Sequence, residues 1–315
     1  MMDALKALFK QPYWVIALVF GVVLIVFPSV TIDKDYHWTT HPPSTRLPVM
    51  VGIGLLLLSS GGFGFTLLSK HGANADHIGA GVDLTRVKES NGVLWTTVSG
   101  CEIRVVYGLI EDYAREPGTA IVLPCNEYFD DRCVGDTKSA LGAYVNRVFE
   151  GQAAEFVSLI QDECHKKLGA GVEQQKTDEE RAKSFGVGKC VLLLKPLGRS
   201  VPVALVSTTT QRANEGLAAQ ISYLFAGMRE LVTRLADARL NEVAMPILGA
   251  GHGRIDPPLA FVGLLLALAE AARYGQGGQR LKRVTIVVFK RDQNSPAEVD
   301  QIVVRRALAL IGSQN

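Results

Sequence analysis

The sequence predicts a mixed α/β domain preceded by an α-helical transmembrane hairpin. Three observations carry that expectation. Two long runs near the start, residues 13–30 and 47–68, contain no charged residue. From Gly81 onward, short apolar runs rich in β-branched residues alternate with stretches of helical periodicity, the pattern of strands interleaved with helices. Within that part, residues 241–271 place a short apolar segment, a glycine-rich turn and an apolar helix in direct succession.

At about 1.5 Å per residue, each charge-free run reaches roughly 27–33 Å as a helix, enough to cross the hydrocarbon core of a bilayer. The first is long for a signal peptide, no small-residue cleavage pattern follows it, and a second run of similar length argues for two spans. A buried core hairpin is the alternative. Lys6 and Lys10 precede the first span and Lys70, Arg86 and Lys88 follow the second. In the short connection Asp33 and Asp35 nearly balance Lys34 and Arg46. Both termini are therefore expected in the cytoplasm. Tyr13, Trp14, Tyr36 and Trp38 fall where interfacial aromatics belong. Gly52, Gly54, Gly61, Gly62 and Gly64 give the second span a surface for close helix approach, within the hairpin or between copies. No charged residue lines either span, so an ion pathway has no direct support. The hairpin is assigned to residues 1–70, a polar linker to 71–80 and the cytoplasmic domain to 81–315.

The formal net charge of +2, with 20% charged residues, suggests no nucleic-acid surface. The positive mean hydropathy of +0.17 originates in the two spans. The five cysteines, Cys101, Cys125, Cys133, Cys164 and Cys190, are odd in number and none is paired at Cys-x-x-Cys spacing. A disulfide framework or a zinc site is not expected, and neither is a cofactor.

In chain order, residues 82–87, 93–98, 102–109 and 120–123 are expected as strands, with a helical turn at 111–115. A helix follows over 139–168, with a break near Gly151. Residues 169–188 are glycine-rich and charged, a solvated loop with a mobile lid as the alternative. Strands at 190–195 and 201–206, an amphipathic helix over 214–240, the strand before the glycine turn, a helix at 259–271, a turn at 275–278, a strand at 284–289 and a closing helix at 296–311 complete the reading.

Three polar segments each follow an apolar strand. The first begins at Asn126. The second is Ser207, Thr208, Thr209 and Thr210, hydroxyls suited to a phosphate or ribose, or to capping and turns. The third is Gly249, Ala250, Gly251, His252 and Gly253. Glycines let the backbone approach an anion, and bare N–H groups and a following helix N-terminus favour negative charge; a tight strand-to-helix turn is the plain alternative. In a twisted α/β sheet such loops converge on one edge, so one cleft is expected.

The order of these pieces resembles the macrodomain family, ADP-ribose-binding modules with three α/β/α layers and a mixed central sheet. The resemblance runs from about Gly81 to Ile311. Thr119-Ala120-Ile121-Val122-Leu123-Pro124-Cys125-Asn126 stands where the family has Asp-Ala-Ile-Val-Asn-Ala-Ala-Asn, which implies that Asn126 faces the distal ribose. Gly108-Leu109-Ile110 stands in place of the family's Gly-Asp-Ile, so Leu109 and Ile110 occupy the adenine side. Cys133 to Ser139, with Asp136 and Lys138, replace the first phosphate loop, and Lys138 is positioned to neutralise a diphosphate. Phe289 ends the last strand where the family often has an aromatic residue near the nucleotide.

Two spans ahead of a divergent macrodomain resemble the membrane effectors of type II Thoeris antiphage defence. The resemblance implies an ADP-ribose-type signal, histidine-conjugated ADP-ribose, made from NAD by a partner TIR-domain enzyme. It also implies homo-oligomerisation on activation, disruption of the bacterial inner membrane by contact with lipid, and abortive infection. The chain would then be a receptor rather than an enzyme. The alternatives are a membrane-anchored ADP-ribosyl hydrolase or nucleotide phosphohydrolase, with Asp130, Asp136 and His252 as candidate general bases, and a plain anchored scaffold, which leaves three converging polar loops unexplained.

Overall fold

The computed structural model describes residues 30–32, 38–40 and 83–312, apart from 117, 178–179, 213–215, 275–279 and 293. Apart from Val30, the expected spans, the linker and the turn at 275–278 thus lie outside the described residues. Among the described residues, no helix is long and apolar enough to cross a membrane. The chain divides into two compact units, Met1–Gly81 and Val82–Asn315. In the first, β1 (Val30–Ile32) pairs antiparallel with β2 (Trp38–Thr40).

The second unit is built on a nine-stranded mixed sheet. Its centre is five parallel strands in spatial order β10 (Val203–Arg212), β6 (Thr119–Asn126), β12 (Glu242–Pro246), β13 (Arg283–Phe289) and β5 (Cys101–Gly108). The meander β3 (Lys88–Ser90) and β4 (Val93–Val98) extends the β5 side antiparallel. On the other side, β9 (Cys190–Leu193) and β11 (Gly216–Ala219) pair antiparallel with the first and second halves of β10.

Parallel strands covered on both faces read as continuous apolar runs, and here alternate residues serve opposite layers. Ala120 and Val122 of β6, Ala204 and Val206 of β10, and Val284, Ile286 and Val288 of β13 face one core. There they meet Leu224, Met228 and Leu231 of α3 (Ile221–Asp237), Phe261, Leu264 and Leu268 of α4 (Pro257–Tyr274), and Val304 and Leu308 of α5 (Gln301–Gly312). Ile121, Leu123, Val203, Leu205 and Val287 face the other core. That core is filled by Tyr144 and Val145 of α1 (Ala140–Val148) and by Phe156 and Ile160 of α2 (Ala153–Leu168). The result is a three-layer α/β/α arrangement with a mixed sheet, as expected.

Several expected elements differ. The segment read as a first strand holds a 3-10 turn, Leu84–Arg86, and pairing starts at Lys88. The helix expected over 139–168 is, by contrast, broken as expected into α1 and α2, at Gly151, which adopts a φ of +74°. The helix expected over 214–240 begins at Ile221, because Gly216, at a φ of +79°, turns the chain into β11 first. Strand β10 runs ten residues rather than six, so Ser207 to Thr210 lie within it.

The segment expected as a solvated loop or lid is a hairpin, β7 (Val172–Gln175) and β8 (Arg181–Ser184). It is anchored at both ends, by Lys176 in its turn and by Phe185 at its base. Lys176 Nζ lies 2.9 Å from Asp130 Oδ2 and 3.0 Å from Glu180 Oε1, with only 12% of the lysine side chain exposed, and 5.8 Å from the Tyr128 ring centre. Phe185 N donates to Glu127 O at 2.8 Å and its ring meets Phe129 edge-on. Asp130 also accepts from Asn126 Nδ2 and Arg132 N. It is therefore a structural group, and removing it leaves a shielded lysine with Glu180 as its one carboxylate partner among the described residues. Asp130→Ala is expected to cost about 2 kcal/mol of stability and to speed hydrogen exchange across 172–185 more than elsewhere, as read by denaturation and exchange mass spectrometry.

Candidate functional site

A cleft of about 490 Å³ runs along the carboxyl edge of the five parallel strands, within the range of small-molecule sites. At about 4.8 Å between neighbouring strands, five strand ends span roughly 19 Å. The lining follows spatial strand order: Thr208 and Thr209 on β10; Pro124 and Cys125 on β6 with Cys133 and residues 137–140 and 143 after it; Pro246, Ile247 and the glycine loop after β12; Phe289 and Arg291 at β13; Gly108, Ile110 and Glu111 at β5.

The β10 contribution depends on a bulge. Ser207 pairs with Cys125 and Thr209 with Asn126, so Thr208 is the extra residue and the register shifts across it. A bulge re-aims side chains, and here both Thr208 and Thr209 reach the lining. Thr209 Oγ1 donates to Cys125 O at 3.2 Å. Thr208 is fully buried and its Oγ1 has no hydrogen-bond partner. A buried hydroxyl left unmatched costs free energy, so this atom is poised for a polar group entering the cleft.

After β6 the chain makes a compact turn into α1. Ser139 caps that helix, its Oγ accepting from Gly142 N at 2.8 Å. Gly142 is required because a Cβ there would meet Asp136 O at 2.1 Å and Cys133 O at 2.6 Å. The cap leaves the first N–H groups of α1 at the cleft wall, with Lys138 exposed beside them, an arrangement that favours anions. The glycine loop supplies the facing wall. Gly249 adopts a φ of +84°, Ile255 N donates to Gly249 O at 3.2 Å, and Ala219 N to Gly253 O at 2.9 Å. The helix after this loop differs from expectation: α4 opens with Pro257 and Pro258, which carry no N–H, and neither lines the cleft. The helix terminus at the site is that of α1.

His252 Nε2 lies 2.8 Å from Asp136 Oδ2, tying the glycine loop to the turn before α1. The Lys138 main-chain N–H holds the Asp136 carboxyl below its ordinary value, against an opposing effect of burial and with a further contribution from the His252 contact. That makes it a weaker general base. Burial pushes the Cys133 thiol up to about 11 and the Cys125 thiol well above its ordinary value, so both stay protonated at neutral pH and are poor nucleophiles. Among the described residues, no group of His, Cys, Asp and Glu could hold a metal ion.

Of the residues singled out in the sequence, Ile110, Lys138, Thr208, Thr209, Gly249, Gly251, His252, Gly253 and Phe289 line the cleft. Asn126 does not. It is buried, its Nδ2 donating to Asp130 Oδ1 at 2.9 Å and its Oδ1 accepting from Tyr128 N at 3.0 Å, so both ends of the amide are spent inside the turn. Ser207 is also turned away, bonded to Gly186 O and Lys189 N. Leu109, Ala250 and Asp136 flank the lining without forming it. Sequence reasoning missed Glu298 and Arg291, which enter from the segment between β13 and α5. A lone Glu in a polar stretch carries no pattern that would have flagged it.

Gly253→Ala tests the loop. Its Cβ would meet Gly249 O at 2.4 Å and Ala219 Cβ at 2.7 Å. The substitution is expected to cost about 1–3 kcal/mol of stability in thermal denaturation while the β7–β8 hairpin keeps its exchange protection.

The profile of the family described as "Thoeris protein ThsA, Macro domain" matches residues 105–288. Among solved structures, the Oceanobacillus iheyensis macrodomain with MES bound is 10% identical, covering 71% of this chain and 98% of that one, at a TM-score of 0.48. The macrodomain of Thermus aquaticus DarG is 19% identical, covering 59% and 97%, at 0.38. The Trypanosoma brucei macrodomain in complex with ADP-ribose is 16% identical, covering 59% and 63%, at 0.39. A search of curated proteins gave no match.

Proposed function

Because the chain belongs to the family of Thoeris ThsA macro domains, we propose that its cleft receives an ADP-ribose-type signalling nucleotide and that the chain acts as a receptor. The observation that carries this reading is the unpartnered Thr208 hydroxyl, buried in the same lining as the α1 N-terminus, Lys138 and the glycine loop. Hydroxyl, bare main-chain N–H groups and a cation converge as a diphosphate or its ribose requires.

The finer reading rests on the sequence. The signal is histidine-conjugated ADP-ribose, made from NAD by a partner TIR-domain enzyme. Its binding favours an oligomer of the chain, since a ligand shifts an equilibrium only by binding one state better than another. Clustering then brings together the glycine-bearing second span, and the disrupted inner membrane ends the infection together with the cell. The hydrolase alternative would draw on the Asp136–His252 pair at the cleft rim.

Calorimetric titration of the purified full-length chain with ADP-ribose and with its histidine conjugate, followed by product analysis, tests the proposal. Tight binding of the conjugate with no products is expected. Release of products from either compound would make the chain a hydrolase. Thr208→Val should weaken binding roughly tenfold, the loss of one hydrogen bond to a charged group, with little change in melting temperature. For the membrane part, replacing Gly61 and Gly62 with Leu is expected to abolish toxicity in cells that make the signal and to leave the affinity unchanged; persistent toxicity would remove the helix-packing step.

A further inference from the structure

Strand β10 outlasts its neighbour β6. The ladder between them runs from Val203 to Ser207, skips Thr208 and closes on the pair of Thr209 with Asn126, where β6 ends. β10 continues to Arg212, paired on its other side with β11. Alternate residues of a strand present their main-chain groups to the same neighbour. Thr209 and Gln211 therefore both face the side that β6 has left, and their main-chain groups need partners there.

Glu127 serves both. Its main-chain N donates to Thr209 O at 3.1 Å. Its carboxylate accepts from Gln211 N with both oxygens, at 2.9 and 3.0 Å. A side chain thus continues the ladder past the end of the strand. Glu127 and Gln211 are both buried, and a carboxylate removed from water needs a donor as much as a buried N–H needs an acceptor. Burial raises the Glu127 carboxyl above its ordinary pKa, the main-chain N–H groups of Gln211 and of Glu127 itself oppose that, and Asp130 and Lys176 are the charged side chains that act on it. Glu127 is itself held from behind, its O accepting from Phe185 N at 2.8 Å at the base of the β7–β8 hairpin.

These two contacts fix the register of β10 immediately after the bulge. A slip of one residue would bring Thr208 into the pair with Asn126 and set Thr210 where Gln211 stands, turning each side chain to the other face. The unpartnered, buried Thr208 hydroxyl reaches the cleft in the bulged register.

We infer that Glu127 is a positioning residue, which holds β10 in the register that presents the Thr208 hydroxyl to the ligand. The inference deepens the reading of the cleft as a nucleotide site and rests on it. Glu127 is outside the lining, so its effect on affinity passes through its neighbours.

Two substitutions separate reach from charge. Glu127→Asp keeps the charge but is one methylene shorter, which withdraws it from Gln211 N. Glu127→Gln keeps the length and an acceptor oxygen and drops the charge. The full-length chains are titrated with whichever of ADP-ribose and its histidine conjugate the parent binds more tightly. Glu127→Asp should bind roughly tenfold more weakly than the parent, matching Thr208→Val, and Glu127→Gln should stay within about threefold. Glu127→Asp combined with Thr208→Val should be no more than about threefold weaker than Thr208→Val alone, because a residue that acts by aiming Thr208 then has nothing to aim. Hydrogen exchange at the Gln211 amide, read by mass spectrometry, should be slow in the parent and in Glu127→Gln and fast in Glu127→Asp. Parent-like affinity in Glu127→Asp, losses that multiply in the double variant, or a tenfold loss or fast exchange in Glu127→Gln overturns this inference and leaves the receptor reading standing. A parent chain that binds neither compound overturns both.

Discussion

Burial of the central parallel strands on both faces is the constraint from which the rest of the domain follows. With Ile121, Leu123, Val203 and Leu205 committed to one helical layer and Val122, Ala204, Val206 and Ile286 to the other, β6 and β10 turn no polar face to water, whereas β5, with Glu102 and Arg104, is covered on one face only. Backbone polar groups that lack a ladder partner are then found only at the strand ends. Because the five strands point the same way, their carboxyl ends form one continuous edge, and loops along it are free to carry ligand chemistry.

That edge is graded rather than uniform. The turn into α1 and the glycine loop bring main-chain N–H groups close together because glycine occupies the tightest approaches, Gly142 against Asp136 and Cys133, and Gly253 against Gly249. The far end, where Phe289 stands beside Gly108, carries side chains of both charges, Glu111, Glu298 and Arg291, around an exposed ring.

The hairpin β7–β8 shows how local composition misleads. Glycine and charge at 169–188 have the marks of a solvated loop, yet Lys176 is almost wholly shielded between Asp130, Glu180 and the Tyr128 ring. The same ion pair withdraws Asp130 from any catalytic duty and, through Asn126 Nδ2, helps to turn Asn126 inward. A family pattern placed Asn126 at a ribose; the local network of this chain uses it as a turn-forming amide.

The sequence by itself determined the α/β class and that polar segments lie near strand ends, because two-fold and 3.6-fold periodicities and the glycine loop are local properties of the chain. Its two charge-free runs likewise stand as a reading of hydropathy. Only the tertiary structure decided which polar side chains face the cleft. The bulge that re-aims Thr208 is a mismatch of register between β10 and β6, and register belongs to a pair of strands rather than to either one. The choice of α1 over α4 as the helix end at the site depends on where the β6 turn folds back. The placement of Glu298 depends on a main-chain bond to a strand nine residues earlier. Each is a relation between segments distant along the chain or set by another element, and no window of sequence contains both partners together with the geometry that joins them.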